Sequence, residues 1–361
     1  MVSPLVSLKR LHILNFISMN NRVVVIGGGI AGMTTAAALN DKGIEVVLLE
    51  KEPVTGGHVK NWDRLFPSRR PGREVLDFIE KSIGQETTIH YDCTVQSILR
   101  VDGAFEIITS KGITIQARSI VIATGYDIFD ARKKEEYGYG IYDNVITSAE
   151  LETLFSEGKK ITTRDGKTPK RIGFIHCVGS RDEKVGNRYC SKVCCVTGVK
   201  QAIEIREMLP ECEVFSFYMD LRMYDRNFEE LYYEAQQKWG VNFIRGRLSE
   251  CAENPDHSLV LKTEDTLTGR PLKMTVDMMV LLAGFVPRPE TKQLAHMLGL
   301  GIGSDGFLLS ADEHFKDNCT AIPGVFIAGA VKGPACIVNT MADARATATE
   351  VGGYLGSEVA R

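Results

Sequence analysis

"RVVVIGGGIAGMTTAAALNDKGIEVVLLEKE", residues 22–52, decides the fold. Val23 to Gly27 read as a buried parallel strand, because the apolar run does not alternate with polar residues. "GGGIAG" supplies a GxGxxG spacing as Gly27, Gly29 and Gly32. A helix follows through about Leu39, Gly43 ends it, and "IEVVLLE" makes a second strand closing on Glu50. In this unit Gly27 allows the tight turn, Gly29 lets a pyrophosphate approach the backbone, and Gly32 lets helix and strand pack closely. The helix N-terminus offers unpaired N–H groups and a favourable dipole to phosphate. Glu50 stands 18 residues after Gly32, where a carboxylate accepts from ribose hydroxyls. The candidate dinucleotide contacts here are Gly27, Gly28, Gly29, Ala31, Gly32, Glu50 and Lys51.

A chain of 361 residues has room for two ordinary domains. Its 44% apolar and 25% charged residues are plain globular composition. Net charge is −3, from 43 basic and 46 acidic residues, with no polybasic block, so nucleic acid is not an expected partner. The apolar run "MMVLLAGFV" at 278–286 is too short to span a bilayer, so no direct membrane insertion is expected. Residues 1–18 carry their charges, Lys9 and Arg10, mid-segment and read as a disordered leader or misassigned start rather than a targeting signal. The nine cysteines do not form the dense framework of a small secreted domain, so a reducing, cytoplasmic setting is expected.

Three later motifs extend the first unit. "EKEPVTGGH" places Gly56–Gly57 and His58 after the second strand. "SIVIATG" at 119–125 is a strand ending in Thr124–Gly125. "TAIPGVFIAGAVKGP" at 320–334 is a strand running to Gly329 and Ala330, followed by the alanine-rich helix "IVNTMADARATATEVGGYL". Together these resemble the two-dinucleotide-binding-domain flavoproteins, which include thioredoxin and glutathione reductases. The resemblance implies FAD, with Gly57, His58, Thr124, Gly125, Gly329 and Ala330 along it. In that family the last motif usually ends Gly–Asp and the acid contacts the FAD; Ala330 replaces it here. His58 is read as a polar neighbour of the cofactor rather than a proton donor.

The middle of the chain repeats the pattern with one change. Thr147 and Glu150 make a capping box for a helix over "TSAELETLF", and the polar stretch 156–170 reads as a linker. A strand at 171–177, a helix near 196–209, a strand at 213–219, an amphipathic helix at 228–240, a strand "VNFIRG" and a hairpin within 258–284 follow. The fold class is therefore α/β, two Rossmann-like domains in a thioredoxin-reductase-like flavoprotein architecture. The expected division is 19–155 plus 286–361 for FAD, and 169–285 for an inserted second domain. Where that domain's phosphate turn should stand, the sequence has "CVGSRDEKVGNRYCSKVCC". The connection is too long to cradle a pyrophosphate, so NAD(P)H binding is not expected in this domain.

Cys177, Cys190, Cys194 and Cys195 have the spacing C-x12-C-x3-C-C. A redox disulfide leaves two thiols unexplained. Structural zinc usually has two close pairs. An iron–sulfur cluster takes four thiolates and tolerates irregular spacing, and Arg181, Lys184, Arg188 and Lys192 add positive charge.

"CVGSRD…YCSKVCC", with "FYMDLRMYDRNFEELYYEAQQKWGVNFIRGR" downstream and "GGGIAG…EKEPVTGGH…LFP" upstream, resembles the A subunit of heterodisulfide reductase. The relatives include the A subunit of the quinone-interacting membrane-bound oxidoreductase and that of the bacterial sulfur-oxidation complex. The resemblance implies FAD in the first domain and one [4Fe–4S] cluster on Cys177, Cys190, Cys194 and Cys195. It also implies electron relay to partner subunits in sulfur metabolism, with membrane association only through such partners, and leaves a homodimer open. Methanogen members carry an inserted ferredoxin domain and a cysteine after the "FP" that matches Phe66–Pro67; this stretch reads "SRRPGRE" here. Electron bifurcation is therefore not carried over. No catalytic side chain is assigned. The competing expectations are an NAD(P)H-dependent disulfide reductase and a zinc flavoprotein scaffold.

Overall fold

The computed structural model of the protein describes residues 22–85 and 87–359. The expected leader, 1–18, lies outside the described residues. The described residues form two compact units: 22–60, 75–85, 87–126 and 287–359 in one, Asn61–Glu74 and Asp127–Val286 in the other.

Both units obey one plan. The first has a five-stranded parallel sheet in the order Val325–Ile327, Ser119–Ile122, Arg22–Ile26, Glu45–Leu49, Thr87–His90. The second has a five-stranded parallel sheet in the order Val145–Thr147, Met278–Ala283, Arg171–Val178, Glu213–Tyr218, Asn242–Arg245. Each unit adds a three-stranded antiparallel sheet, at 95–117 and at 248–276. Arg22–Ile26 and Arg171–Val178 hold the same central place, with the chain order reversing beside them. In open α/β sheets, ligands bind at the strand ends of that switch point.

The central strands form because their residues are apolar on both faces, as a covered parallel sheet requires. Val23, Val24, Val25, Ile172 and Phe174 are fully buried, and Ile175 nearly so. Each such side chain stabilises the unit by about 1.5–3 kcal/mol relative to exposure. The Ile30–Asn40 helix packs on the Ile337–Val359 helix, where the Thr35 hydroxyl donates to Ala344 O at 3.4 Å.

The glycines of the first turn differ in purpose. A Cβ on Gly32 would collide with the Gly27 carbonyl oxygen, and one on Gly27 (φ 109°) would lie 2.5 Å from Ala123 O. These two are fixed by packing. A Cβ on Gly29 would meet only Gly57 Cα, at 4.0 Å.

Several placements differ from the sequence reading, and Asn61–Glu74 and residues 127–144, expected in the first domain, group with the second unit. The 145–147 strand and the Ser148–Ser156 helix were grouped with the first domain, 19–155, but Val145–Thr147 pairs in parallel with Met279–Leu281 of the second sheet. The capping box itself is present: Thr147 Oγ1 accepts from Glu150 N at 3.2 Å, and Glu150 accepts from Thr147 N at 2.7 Å. The helix expected near 196–209 runs Cys194–Met208, which brings Cys194 and Cys195 onto its first turn. Leu248–Glu253 adds a third strand to the hairpin, and its sequence LSECAE does not alternate apolar with polar, which hides it from a pattern search.

Candidate functional site

In the first unit, Gly28 N donates to Glu50 Oε2 at 2.6 Å, and Glu52 N to Glu50 Oε1 at 2.8 Å. The buried carboxylate therefore ties the glycine turn to the end of the second strand. Gly56 N donates to Gly28 O at 2.9 Å, bringing the Gly56–Gly57 turn beside Gly29. Lys51 pairs with Glu290 at 2.7 Å. The Ile30–Asn40 helix opens on Gly29 without a side-chain cap and without an acid in its own first turn. Ala31, buried in that turn, lies against Gly329.

Thr124 and Thr291 hydroxyls are 2.9 Å apart, and Gly125 turns with φ 71°. His58 stacks on Tyr126 at 4.7 Å, its Nε2 lying 2.9 Å from Tyr126 O and 3.4 Å from the Arg288 guanidinium. The ring is thus held between a backbone carbonyl and a guanidinium. Ala330 lies buried in a short turn, Gly329–Val331. These features fit a dinucleotide: open space at Gly29, bare helix N–H groups, and a carboxylate at the second strand's end.

In the second unit the corresponding turn is replaced by residues 179–193. The central strand loses register between Ile175 and Val178, and Cys177 within the break has φ 60°. Such a bulge re-aims a side chain at a strand end. The loop is held from several sides. Asp182 is buried against Lys134 at 2.7 Å and Arg247 at 2.6 Å. Asn187 Nδ2 donates to Gly179 O at 2.9 Å, Tyr189 donates to Phe285 O at 2.8 Å, and Phe285 N donates to Ser191 Oγ at 2.9 Å.

The four cysteines come into one another's field. Burial pushes the Cys177 thiol up to about 12, with Cys195 and Cys190 adding to it and Arg181 opposing. Burial, then the neighbouring Cys177, Cys195 and Cys190, raises Cys194 well above the usual thiol range. Cys195 is raised by burial and lowered by a backbone hydrogen bond from Arg222. Cys190 is half-buried and its Sγ accepts from Lys192 N at 3.3 Å. All four are free thiols, and Cys194 and Cys195 head a helix with no side-chain cap. One guanidinium nitrogen of Arg181, Nη1, is buried with no hydrogen-bond partner. Buried thiols of this kind stay protonated and inert until a metal removes the proton.

Among the described residues, no three His, Cys, Asp or Glu side chains close on a single-ion site. A tetrahedral zinc would draw its sulfurs to roughly 4 Å from one another. A four-iron cluster gives each thiolate its own iron and spreads the sulfurs further. Four neighbouring thiols are a donor set that either a cluster or a zinc could use.

The sequence reading missed buried groups on the same helix. Lys200 is ion-paired with Glu152 and lies 3.1 Å from Glu204, with Gln201 Nε2 donating to Glu152 at 2.9 Å. Burial pushes Glu204 up to about 7, Lys200 opposing and Glu152 adding to the shift. His176, one residue before Cys177, is lowered to about 3 by burial and bonds Ser216 Oγ at 2.7 Å. "KQAIEIRE" looks like a solvated face, and no local signal shows that Glu152 packs against it.

Two Rossmann-like units of this arrangement define the class of two-dinucleotide-domain oxidoreductase folds. Residues 25–78 match the family described as NAD(P)-binding Rossmann-like domain, and 194–348 match pyridine nucleotide-disulphide oxidoreductase. Thioredoxin reductases of T. acidophilum and Lactococcus lactis superpose with TM-scores of 0.63 and 0.63, at 17% and 20% identity. Those matches cover 94% and 93% of this chain and 100% and 99% of theirs.

The chain is similar to the A subunits of heterodisulfide reductases. It is 32% identical to the A subunit of the H(2):CoB-CoM heterodisulfide,ferredoxin reductase of Methanothermobacter thermautotrophicus, over 92% of this chain and 63% of that protein. It is 34% identical to an iron-sulfur A subunit of the CoB--CoM heterodisulfide reductase of Methanopyrus kandleri, over 92% of this chain and 64% of that one. The chain thus spans a little under two thirds of the length of these relatives. No helix among the described residues is long and apolar enough to cross a membrane.

Proposed function

We propose that this chain is an oxidoreductase subunit that holds FAD in the first unit and one [4Fe–4S] cluster in the second. It would relay electrons to the other subunits of a heterodisulfide reductase-like complex in sulfur metabolism. The observation that carries the proposal is the thiol set. At the switch point where the first unit has a phosphate turn, the second has four mutually interacting cysteines and a bare helix start.

When bound, FAD exchanges electron pairs and the cluster single electrons. The protein's part is to hold them. Gly29 leaves room for the pyrophosphate, the N–H groups at the start of the 30–40 helix face it, and Glu50 orders the ribose end. Cys177, Cys190, Cys194 and Cys195 supply the thiolates. Arg181 and the first-turn N–H groups of the 194–208 helix offset their charge. The setting is cytoplasmic in this reading, with any membrane-bound component among the partner subunits.

Anaerobic purification followed by iron and flavin analysis tests it. The expected result is about four irons and one FAD per chain, with broad visible absorbance that bleaches on reduction. One zinc and no iron would overturn the cluster. The match to pyridine nucleotide-disulphide oxidoreductases favours a second reading, an NAD(P)H-dependent disulfide reductase, which nucleotide kinetics separates from the first.

A further inference from the structure

Asp343, on the Ile337–Val359 helix, reaches back to the turn that carries Ala330. Its Oδ2 accepts from Gly329 N at 2.6 Å. Its Oδ1 accepts from Lys332 Nζ at 2.6 Å and from the buried Asn318 amide at 2.7 Å. Both ends of the Gly329–Lys332 turn are thus held by one carboxylate. Lys332 is also paired with the more exposed Asp317 at 2.5 Å.

That turn in turn supports the start of the 30–40 helix. Gly329 has φ 72°, and a Cβ there would lie 2.6 Å from Ala31 Cβ and 3.1 Å from Thr340 Cγ2. The backbone of residue 329 is therefore pressed against the first turn of the helix, two residues from the open face of Gly29. Residue 330 is alanine and brings no polar side chain of its own. The position of this wall of the site depends on charge-assisted hydrogen bonds from outside it, which are about twice as strong as neutral ones.

We propose that Asp343 is a positioning residue for FAD: it holds the Gly329–Lys332 turn against Ala31 so that the helix start keeps its cofactor-binding shape. This rests on the FAD reading above. Asp343→Asn leaves one neutral acceptor for three donors, one of them a lysine.

The test is FAD titration of the full-length apoprotein by flavin fluorescence, at a temperature where circular dichroism shows every variant folded. Asp343→Asn should weaken FAD binding by about tenfold or more. Asp343→Glu, which keeps the charge on a longer arm, should lose less. Asp317→Asn, which removes only the outer partner of Lys332, should bind within about twofold of wild type. Wild-type affinity in Asp343→Asn would overturn the assignment, as would a loss that matches only the unfolded fraction. If Asp343→Asn does not fold, Asp343→Glu decides, and wild-type affinity in it overturns the proposal. A wild-type chain that takes up no FAD at micromolar concentration, while Gly29→Val behaves identically, would overturn the cofactor reading itself and this assignment with it.

Discussion

Two strand-to-helix connections in this molecule begin alike and part within a few residues. After Arg22–Ile26 the backbone turns on Gly27 and the helix starts at Ile30. After Arg171–Val178 it runs through residues 179–193 before the helix starts at Cys194. Both connections leave a central strand with the same neighbours in the same order, and both end in a helix without a side-chain cap. A helix N-terminus favours any anion, phosphate or thiolate-bound cluster alike. What differs is the material in front of it: open space in the first unit, buried thiols in the second. On the proposed reading the Rossmann scaffold fixes where an anionic cofactor can sit, and the loop chooses which one.

Removing one thiol puts this contrast under the heaviest load. Cys195→Ser should reduce iron from about four per chain to less than one while FAD content stays at the wild-type level. Cys93, Cys212, Cys251, Cys319 and Cys336 should each tolerate serine with iron unchanged. Full iron in Cys195→Ser would return the two connections to a common, cluster-free description.

Gly29→Val attacks the other side. Its Cβ meets nothing closer than 4.0 Å, so the variant should fold. The side chain would occupy the space of the pyrophosphate, and flavin per chain should fall by at least about tenfold with iron retained. Gly32→Ala is the contrasting control: its methyl collides with Gly27 O, so the loss should appear as insoluble or unfolded protein.

Nucleotide kinetics probes the same difference from the substrate side. With no GxGxxG spacing after Val178, NADH and NADPH should reduce the flavin slowly. Stopped-flow bleaching at micromolar nucleotide would show that the second unit still binds a dinucleotide.

A milder contrast separates the two helices behind the turns. The 30–40 helix contains no ionisable residue, whereas the 194–208 helix buries Lys200 and Glu204. Glu204 is held near 7 against an ordinary 4.5, so the folded protein keeps a proton that the unfolded chain releases. Its contribution is present below about pH 4.5 and is lost as pH rises through 7. Lys200, Glu152 and Arg64 are the charged groups around it. Urea unfolding of Glu204→Gln beside wild type should show the variant gaining about 3 kcal/mol relative to wild type between pH 4.5 and 8. A difference independent of pH would mean that Glu204 stays ionised.

How much of this was legible follows from what encodes each part. The first turn is written locally, because only glycine satisfies the packing at Gly27 and Gly32, and their spacing stands in the sequence. The thiol spacing is equally local. The place of Val145–Thr147 in the second sheet depends on pairing with a strand more than a hundred residues later, which no local pattern announces. The buried Lys200–Glu152–Glu204 group looks like surface charge until the 148–156 helix is packed against it. Asp343 is invisible for the same reason, since Gly329 is brought to it by the fold of the intervening turn. The sequence reading has Glu50 facing a ribose, and in the structure its carboxylate accepts from Gly28 N and Glu52 N, pairings that the sequence does not show.

The loop around the cysteines also bears on how such a protein matures. Cys177, Arg181 and Lys192 all hold left-handed backbone angles, with φ of 60°, 53° and 60°, which side chains larger than glycine adopt at a cost of about 1 kcal/mol or more each. On the cluster reading, ligation is what returns that cost, so loading the metal becomes a folding step for residues 177–195. Lys184, Arg188 and Lys192 stand exposed along the same segment, each a site for a trypsin-like protease. On that reading cluster-free chains would be cut there first, and the cysteine loop would also mark which copies of the protein are finished.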